Sequence, residues 1–141
     1  MSQTDLIDFI KTKKRAHLVG IGGVSMSTLA EMLINRQVPV TGSDSNLQSE
    51  AVISLCKKGV EILPGHMAGN IEKVLPDFLI RTAAVHNDDP EIARARELHI
   101  PVFERAEAYG ALMREYQNAV CFAGTHGKTT STSMFICIAM A

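Results

Sequence analysis

Short apolar runs alternate with segments of helical period along almost the whole chain, and this alternation leaves few folds open. The apolar runs predict strands over Ala16–Gly20, Val38–Gly42, Val60–Leu63, Asp77–Arg81, Pro101–Phe103 and Ala119–Ala123. Between them, Ser25–Asn35, Ser49–Lys58, Pro90–Leu98 and Ala106–Tyr116 read as helices, and a further helix starts at Lys128. In the first of these, Leu29, Met32 and Leu33 share one face. Asp88 and Asp89 are placed to cap the helix that Pro90 opens. Pro39 falls near the start of its strand, where proline does least harm. Leu6, Ile7, Phe9 and Ile10 predict a short leading helix, and Lys11–Arg15 a basic hinge. Strands and helices in this order predict an α/β fold: a doubly wound, mostly parallel, Rossmann-like sheet with helices on both faces. Right-handed crossovers follow, with ligands expected at the carboxyl ends of the strands.

Bulk properties narrow the class of partner. A length of 141 residues suits one domain with a core and not comfortably two. The net charge of −1 favours neither nucleic acid nor an anionic membrane, so neither is expected as a partner. The three cysteines, Cys56, Cys121 and Cys137, form no Cys-x-x-Cys pair, which argues against a disulfide framework or a zinc knuckle and for a reducing, cytoplasmic setting. Cys121, inside an apolar run, reads as a buried, inert thiol, and the seven methionines as core filler. The residues after Met1 contain no apolar signal core, and no apolar run approaches the ~20 residues of a membrane span. The longest run, Met134–Ala141, ends the sequence on an apolar helix, which reads as a cut in a longer protein. Met134, Phe135, Ile136 and Ile138 are then expected to seek cover in a neighbouring molecule, a homodimer for instance, or to be disordered.

Two glycine-rich corners carry the chemistry. Gly20-Ile21-Gly22-Gly23-Val24-Ser25 follows the first strand and opens a helix. The first glycine permits a tight turn, the second lets a diphosphate approach the backbone, and the helix N-terminus supplies N–H donors. Ser25 stands where a third glycine is usual. Asp44, 22 residues beyond Gly22, ends the second strand, where a carboxylate can accept from ribose hydroxyls or simply cap the turn after Gly42-Ser43. Taken alone, this corner equally suits a plain βα turn or an NAD-dependent oxidoreductase.

The second corner, Ala123-Gly124-Thr125-His126-Gly127-Lys128-Thr129-Thr130, again lies between an apolar run and a helix. Loop amides of this kind wrap a polyphosphate, Lys128 would reach the β and γ phosphates, and the Thr129 hydroxyl would ligate magnesium. Phe122 stands where the broad Walker pattern has its first glycine. An ATP site also needs its own sheet and an acid for the metal, and only about a dozen residues follow Lys128.

The pair of corners resembles the Mur ligase family, whose ATP loop has the form Gly-Thr-His-Gly-Lys-Thr-Thr without the first Walker glycine. The run His17–Ser27, then Val40-Thr-Gly-Ser-Asp44, Gly65-His66, Asn87 with Pro90-Glu91, and Arg105-Ala-Glu107 occur in the order of the branch that adds L-alanine. A tripeptide-recycling branch shares the Gly-Ser-Asp and ATP-loop motifs but is less similar around Gly22-Gly23 and Gly65-His66. The resemblance implies a ligase that activates the carboxylate of UDP-N-acetylmuramate with ATP and magnesium as an acyl phosphate, which the amine of L-alanine then attacks, in peptidoglycan precursor synthesis. It implies that residues 1–118 form the UDP-sugar-binding domain and residues 119–141 the start of a central ATP-binding domain. It also implies that Gly20, Ile21, Gly22, Gly23, Val24 and Ser25 face the uridine diphosphate. Asp44 and His66 would lie near the nucleoside, and Arg105 near the phosphates or sugar. Gly124, Thr125, His126, Gly127, Lys128, Thr129 and Thr130 would hold ATP, with Lys128 and His126 catalytic and Thr129 on the magnesium. This chain alone would then be inactive.

Single residues admit plainer readings. His66 equally reads as a turn histidine, and His17 as packing. His86 and His99 read as surface residues. Arg105 could merely pair with Glu104 or Glu107. A third general reading is a non-catalytic nucleotide-binding module in which both corners are structural.

Overall fold

The computed structural model describes residues 3–141. Its centre is a five-stranded, all-parallel sheet in the order β3-β2-β1-β4-β5. The strands are β1 (Ala16–Val19), β2 (Val40–Asp44), β3 (Glu61–Pro64), β4 (Phe78–Arg81) and β5 (Val102–Glu104). The helices are α1 (Gln3–Lys11), α2 (Val24–Asn35), α3 (Glu50–Lys57), α4 (Ala68–Val74), α5 (Pro90–Glu97), α6 (Arg105–Met113) and α7 (Lys128–Ala139).

The strand order dictates where the helices lie. The chain steps outward from β1 to β3, returns past β1 to β4, and continues to β5. Right-handed crossovers therefore place α2 and α3 on one face and α4 and α5 on the other. Two apolar clusters match this division. Leu18, Phe78 and Ile80 pack with α1, α2 and α6, whereas Val19 and Leu79 pack with Ile71 of α4 and Ile92 of α5. Phe78 also stacks on Phe9 at 5.4 Å between ring centroids, which seats the leading helix on the first face. β1 is buried along its whole length because both faces are covered.

The sequence expectations of a parallel doubly wound sheet are met, with two differences. α4 is absent from the sequence reading, because a short helix beginning Ala-Gly-Asn has little periodicity to display. The expected strand over Ala119–Ala123 does not form. A strand exists only as a partner in a ladder, and among the described residues none of the five sheet strands pairs with this segment. Cys121 is accordingly exposed rather than buried. The methionines divide: Met26 is fully buried and Met32 packs against the core, but Met67, Met134 and Met140 are exposed. Met134, Phe135, Ile136 and Ile138 also lie exposed on α7, which buries no residue.

Candidate functional site

The switch in strand order falls between β1 and β4, and a doubly wound sheet opens its ligand crevice there. The loop after β1 is the first glycine corner. Gly20 adopts φ +76°, a left-handed conformation that glycine takes without strain. The amides of Gly20 and Ile21 donate to the Ser43 carbonyl at 2.9 and 3.0 Å, and Gly23 N–H donates to the Gly20 carbonyl at 3.3 Å. Gly22 N–H donates to Asp44 Oδ2 at 2.7 Å, and a Cβ at Gly22 would stand 2.8 Å from that oxygen. Gly42 is required by the same corner: a Cβ there would meet Ile21 Cδ1 at 2.7 Å and the Leu18 carbonyl at 2.8 Å.

The loop amides are thus consumed in holding the corner's shape, which leaves the first turn of α2 as the corner's open set of N–H donors. Its N-cap, Gly23, offers no side-chain cap, so the first-turn N–H groups of Val24, Ser25 and Met26 have no partner in the helix. Val24 is 87% exposed, which leaves that turn open to a ligand. Arg105, the first residue of α6, donates from Nη1 to Ser25 Oγ at 2.9 Å, and Tyr109 one turn on donates to the Ser25 carbonyl at 2.8 Å. Burial lifts the Tyr109 phenol above its ordinary value, with Arg105 opposing. A helix N-terminus and a guanidinium thus converge on one spot, the combination that favours phosphate. Asp44 spends both carboxylate oxygens on backbone, Oδ2 on Gly22 and Oδ1 on Asn46 N–H at 2.8 Å. In this structure it organises the turn, the plainer of its two sequence readings.

A second wall stands at the ends of β3 and β4. His66, just after Gly65 at φ +65°, brings Nδ1 within 2.8 Å of Asp89 Oδ2. The pair is an ion-pair contact, and among the described residues this nitrogen has no other polar partner. Asp89 caps α5, its Oδ1 accepting from the amides of Glu91 and Ile92 at 2.9 and 3.4 Å. Beside the pair lies an open cavity of about 370 Å³, lined by His66, Ala84, Val85, His86, Asp88 and Asp89.

Beneath this wall is a buried polar cluster that the sequence reading did not assemble. Glu91 is fully buried and accepts from Ser43 Oγ at 2.5 Å and from Asn70 Nδ2 at 2.6 Å. His17, also fully buried, holds Nε2 3.8 Å from Glu91 Oε1 and places Nδ1 3.0 Å from Thr41 Oγ1. Burial pushes the Glu91 carboxyl up, but His17, Ser43 and Asn70 together outweigh it and hold the group below its ordinary value. The sequence offered one sign of this, an acid in the first turn of a helix. Its partners stand 48 and 21 residues away and meet it only through the strand order.

The second corner is built differently. Gly127 caps α7 at φ +76° with no side-chain cap, and Lys128 Nζ folds back on the Gly124 carbonyl at 2.5 Å. Residues 123–130 are exposed throughout. Among the described residues no hydrogen bond joins this loop to the first corner. His86 and His99 are exposed, as their sequence reading expects. His17 is packed, as expected, and paired as well.

The sheet, its switch point and the phosphate-type corner there define a doubly wound, Rossmann-like α/β protein. The chain belongs to the Mur ligase family: residues 15–117 match the family described as "Mur ligase family, catalytic domain". It is similar to the UDP-N-acetylmuramate–L-alanine ligase of Acetivibrio thermocellus, at 46% identity over 137 residues, covering 95% of this chain and 28% of that protein. Among solved structures it is similar to the UDP-N-acetylmuramate-alanine ligase of Thermotoga maritima, with a TM-score of 0.78 and 38% identity over 86% of this chain and 28% of that one. A murein peptide ligase of Psychrobacter arcticus superposes with a TM-score of 0.80 at 26% identity, over 87% of this chain and 25% of that one. The chain therefore spans under a third of the length of these three relatives. Family membership displaces the oxidoreductase reading of the first corner. Among the described residues, no helix is long and apolar enough to cross a membrane.

Proposed function

We propose that the first corner binds the uridine diphosphate of UDP-N-acetylmuramate within a ligase that joins L-alanine to that substrate at the expense of ATP. The observation that carries this reading is the convergence of the uncapped α2 N-terminus and Arg105 at the switch point of the sheet. The diphosphate would lie on the amides of Val24 to Met26 beside Arg105, and the nucleoside would extend toward His66 and Asp44. The alanine-adding branch is favoured over the murein peptide branch by the higher identity of its relatives, 46% and 38% against 26%.

The second corner supports an ATP site of the same ligase. Its exposed helix N-terminus and Lys128 suit polyphosphate oxygens, and the Thr129 hydroxyl suits magnesium. ATP with magnesium would supply the phosphoryl group that activates the muramate carboxylate. His126 would stand close to that carboxylate, and positioned cations and N–H dipoles would carry the developing charge. We assign residues 1–118 to UDP-sugar binding and 119–141 to the ATP-binding part. This division is supported by an apolar core that ends with α6 and by an α7 that buries nothing. The setting is proposed to be cytoplasmic. The chain by itself is expected to hydrolyse no ATP and form no amide bond.

A thermal-shift panel tests the reading, because a ligand that binds only the native state raises stability. UDP and UDP-N-acetylmuramate are expected to raise Tm and NAD to leave it unchanged. A response to NAD alone would overturn the proposal.

A further inference from the structure

We infer that Glu91 is a positioning residue that fixes the phosphate corner and the nucleoside wall at one mutual spacing, so that they act as a single site for a nucleoside diphosphate. The inference rests on the nucleotide reading of the first corner, and it concerns a side chain that touches no ligand.

The connections run through two hydrogen bonds to one buried carboxylate. On one side, Glu91 Oε2 accepts from Ser43 Oγ at 2.5 Å, and the carbonyl of that same Ser43 accepts from both Gly20 and Ile21. Moving Ser43 therefore moves the glycine corner. On the other side, Glu91 Oε1 accepts from Asn70 Nδ2 at 2.6 Å, and the same amide group lies 3.5 and 3.4 Å from the carbonyls of Pro64 and Gly65. Those two residues lead into His66. Glu91 also sits two residues after Asp89, whose carboxylate faces His66 while capping the helix that carries Glu91. The ends of β2 and β3 and the start of α5 are thus tied to one side chain.

A carboxylate suits this task better than an apolar residue would. Packing alone resists compression but tolerates sliding, whereas hydrogen bonds to two oxygens at a fixed separation set direction as well as distance. Burying the group has a cost, and a merely stabilising role would be served as well by an apolar side chain of similar volume. Retaining a fully buried acid here makes sense if geometry at the strand ends is what it delivers.

The experiment compares UDP affinity with stability in the whole chain for Glu91→Ala, Glu91→Gln and Asn70→Ala. UDP binding is read by calorimetry on the folded fraction and stability by thermal melting. Glu91→Ala is expected to weaken UDP by about tenfold in the folded fraction. Asn70→Ala, which breaks one of the two ties, is expected to weaken it less. Glu91→Gln keeps one acceptor for Asn70 and a donor for Ser43, and is expected to bind within about threefold of the parent. A lower melting temperature with unchanged UDP affinity in Glu91→Ala and Asn70→Ala would overturn the inference. If Glu91→Ala does not fold, the Asn70→Ala and Glu91→Gln pair decides on the same criteria. Amide NMR without ligand keeps the result separate from the nucleotide reading. Glu91→Ala or Asn70→Ala is expected to shift Gly20–Gly22 together with Gly65 and His66, even if the parent binds no UDP. Shifts confined to α4 and α5 would contradict the inference whatever UDP does.

Discussion

The two glycine corners share a plan, a glycine-rich loop that opens a helix, and differ in sequence pattern and in what surrounds them. The first is walled by Asp44, Ser43 and Arg105, and nearly every loop amide has an internal acceptor. The second has exposed residues throughout and a lysine turned back on its own loop. Glycine spacing permits a phosphate loop, but surrounding strands and a cation from a distant helix make one. In the proposed reading, the first corner would meet a diphosphate with Arg105 already held beside the α2 N-terminus. On the second, Lys128 would first have to leave the Gly124 carbonyl.

The sharpest way to break this contrast is to add a methyl group on each side. Gly42→Ala forces a Cβ into Ile21 and the Leu18 carbonyl and is expected to destabilise the chain by about 1–3 kcal/mol in urea unfolding. Gly124→Ala meets only the His126 carbonyl at 3.3 Å on an exposed loop and is expected to change stability by about 0.5 kcal/mol or less. Equal losses at the two positions would erase the distinction. Next in size is Arg105→Ala, expected to weaken UDP by about tenfold, or ~1.4 kcal/mol, with little change in melting temperature.

Acid tests the buried cluster beneath the His66–Asp89 wall. Glu91 has a folded pKa below its ordinary 4.5, so its contribution to stability is fully present above that value and is lost as pH falls through the folded pKa. The urea midpoint of the parent is expected to fall more steeply on acidification below pH ~4.5 than that of Glu91→Gln, which has no carboxyl to titrate. Parallel acid limbs would contradict the assignment. The smallest effect is expected on α7. Met134→Lys should alter stability by less than about 0.5 kcal/mol, and amides of Lys128–Ala139 should exchange faster than those of α2.

What the sequence revealed follows from how local each feature is. The strands and most helices declare themselves through period and caps, as in Asp89 before Pro90. The glycine corner is contiguous, so its residues were found together. The expected strand at Ala119–Ala123 does not form, and apolar composition cannot show this because it does not reveal whether a partner strand exists. Glu91, Ser43 and Asn70 stayed hidden because their meeting depends on the return of the chain past β1, which no local pattern encodes. Arg105 is legible through family resemblance, but its bond to Ser25, 80 residues away, depends on the fold.

The most direct test is calorimetric titration of UDP into three proteins: the parent chain, Arg105→Ala and Lys128→Ala. The account requires binding in the parent, about a tenfold loss in Arg105→Ala and no change in Lys128→Ala. UDP affinity that ignores Arg105 and collapses with Lys128 would place the nucleotide on the wrong corner.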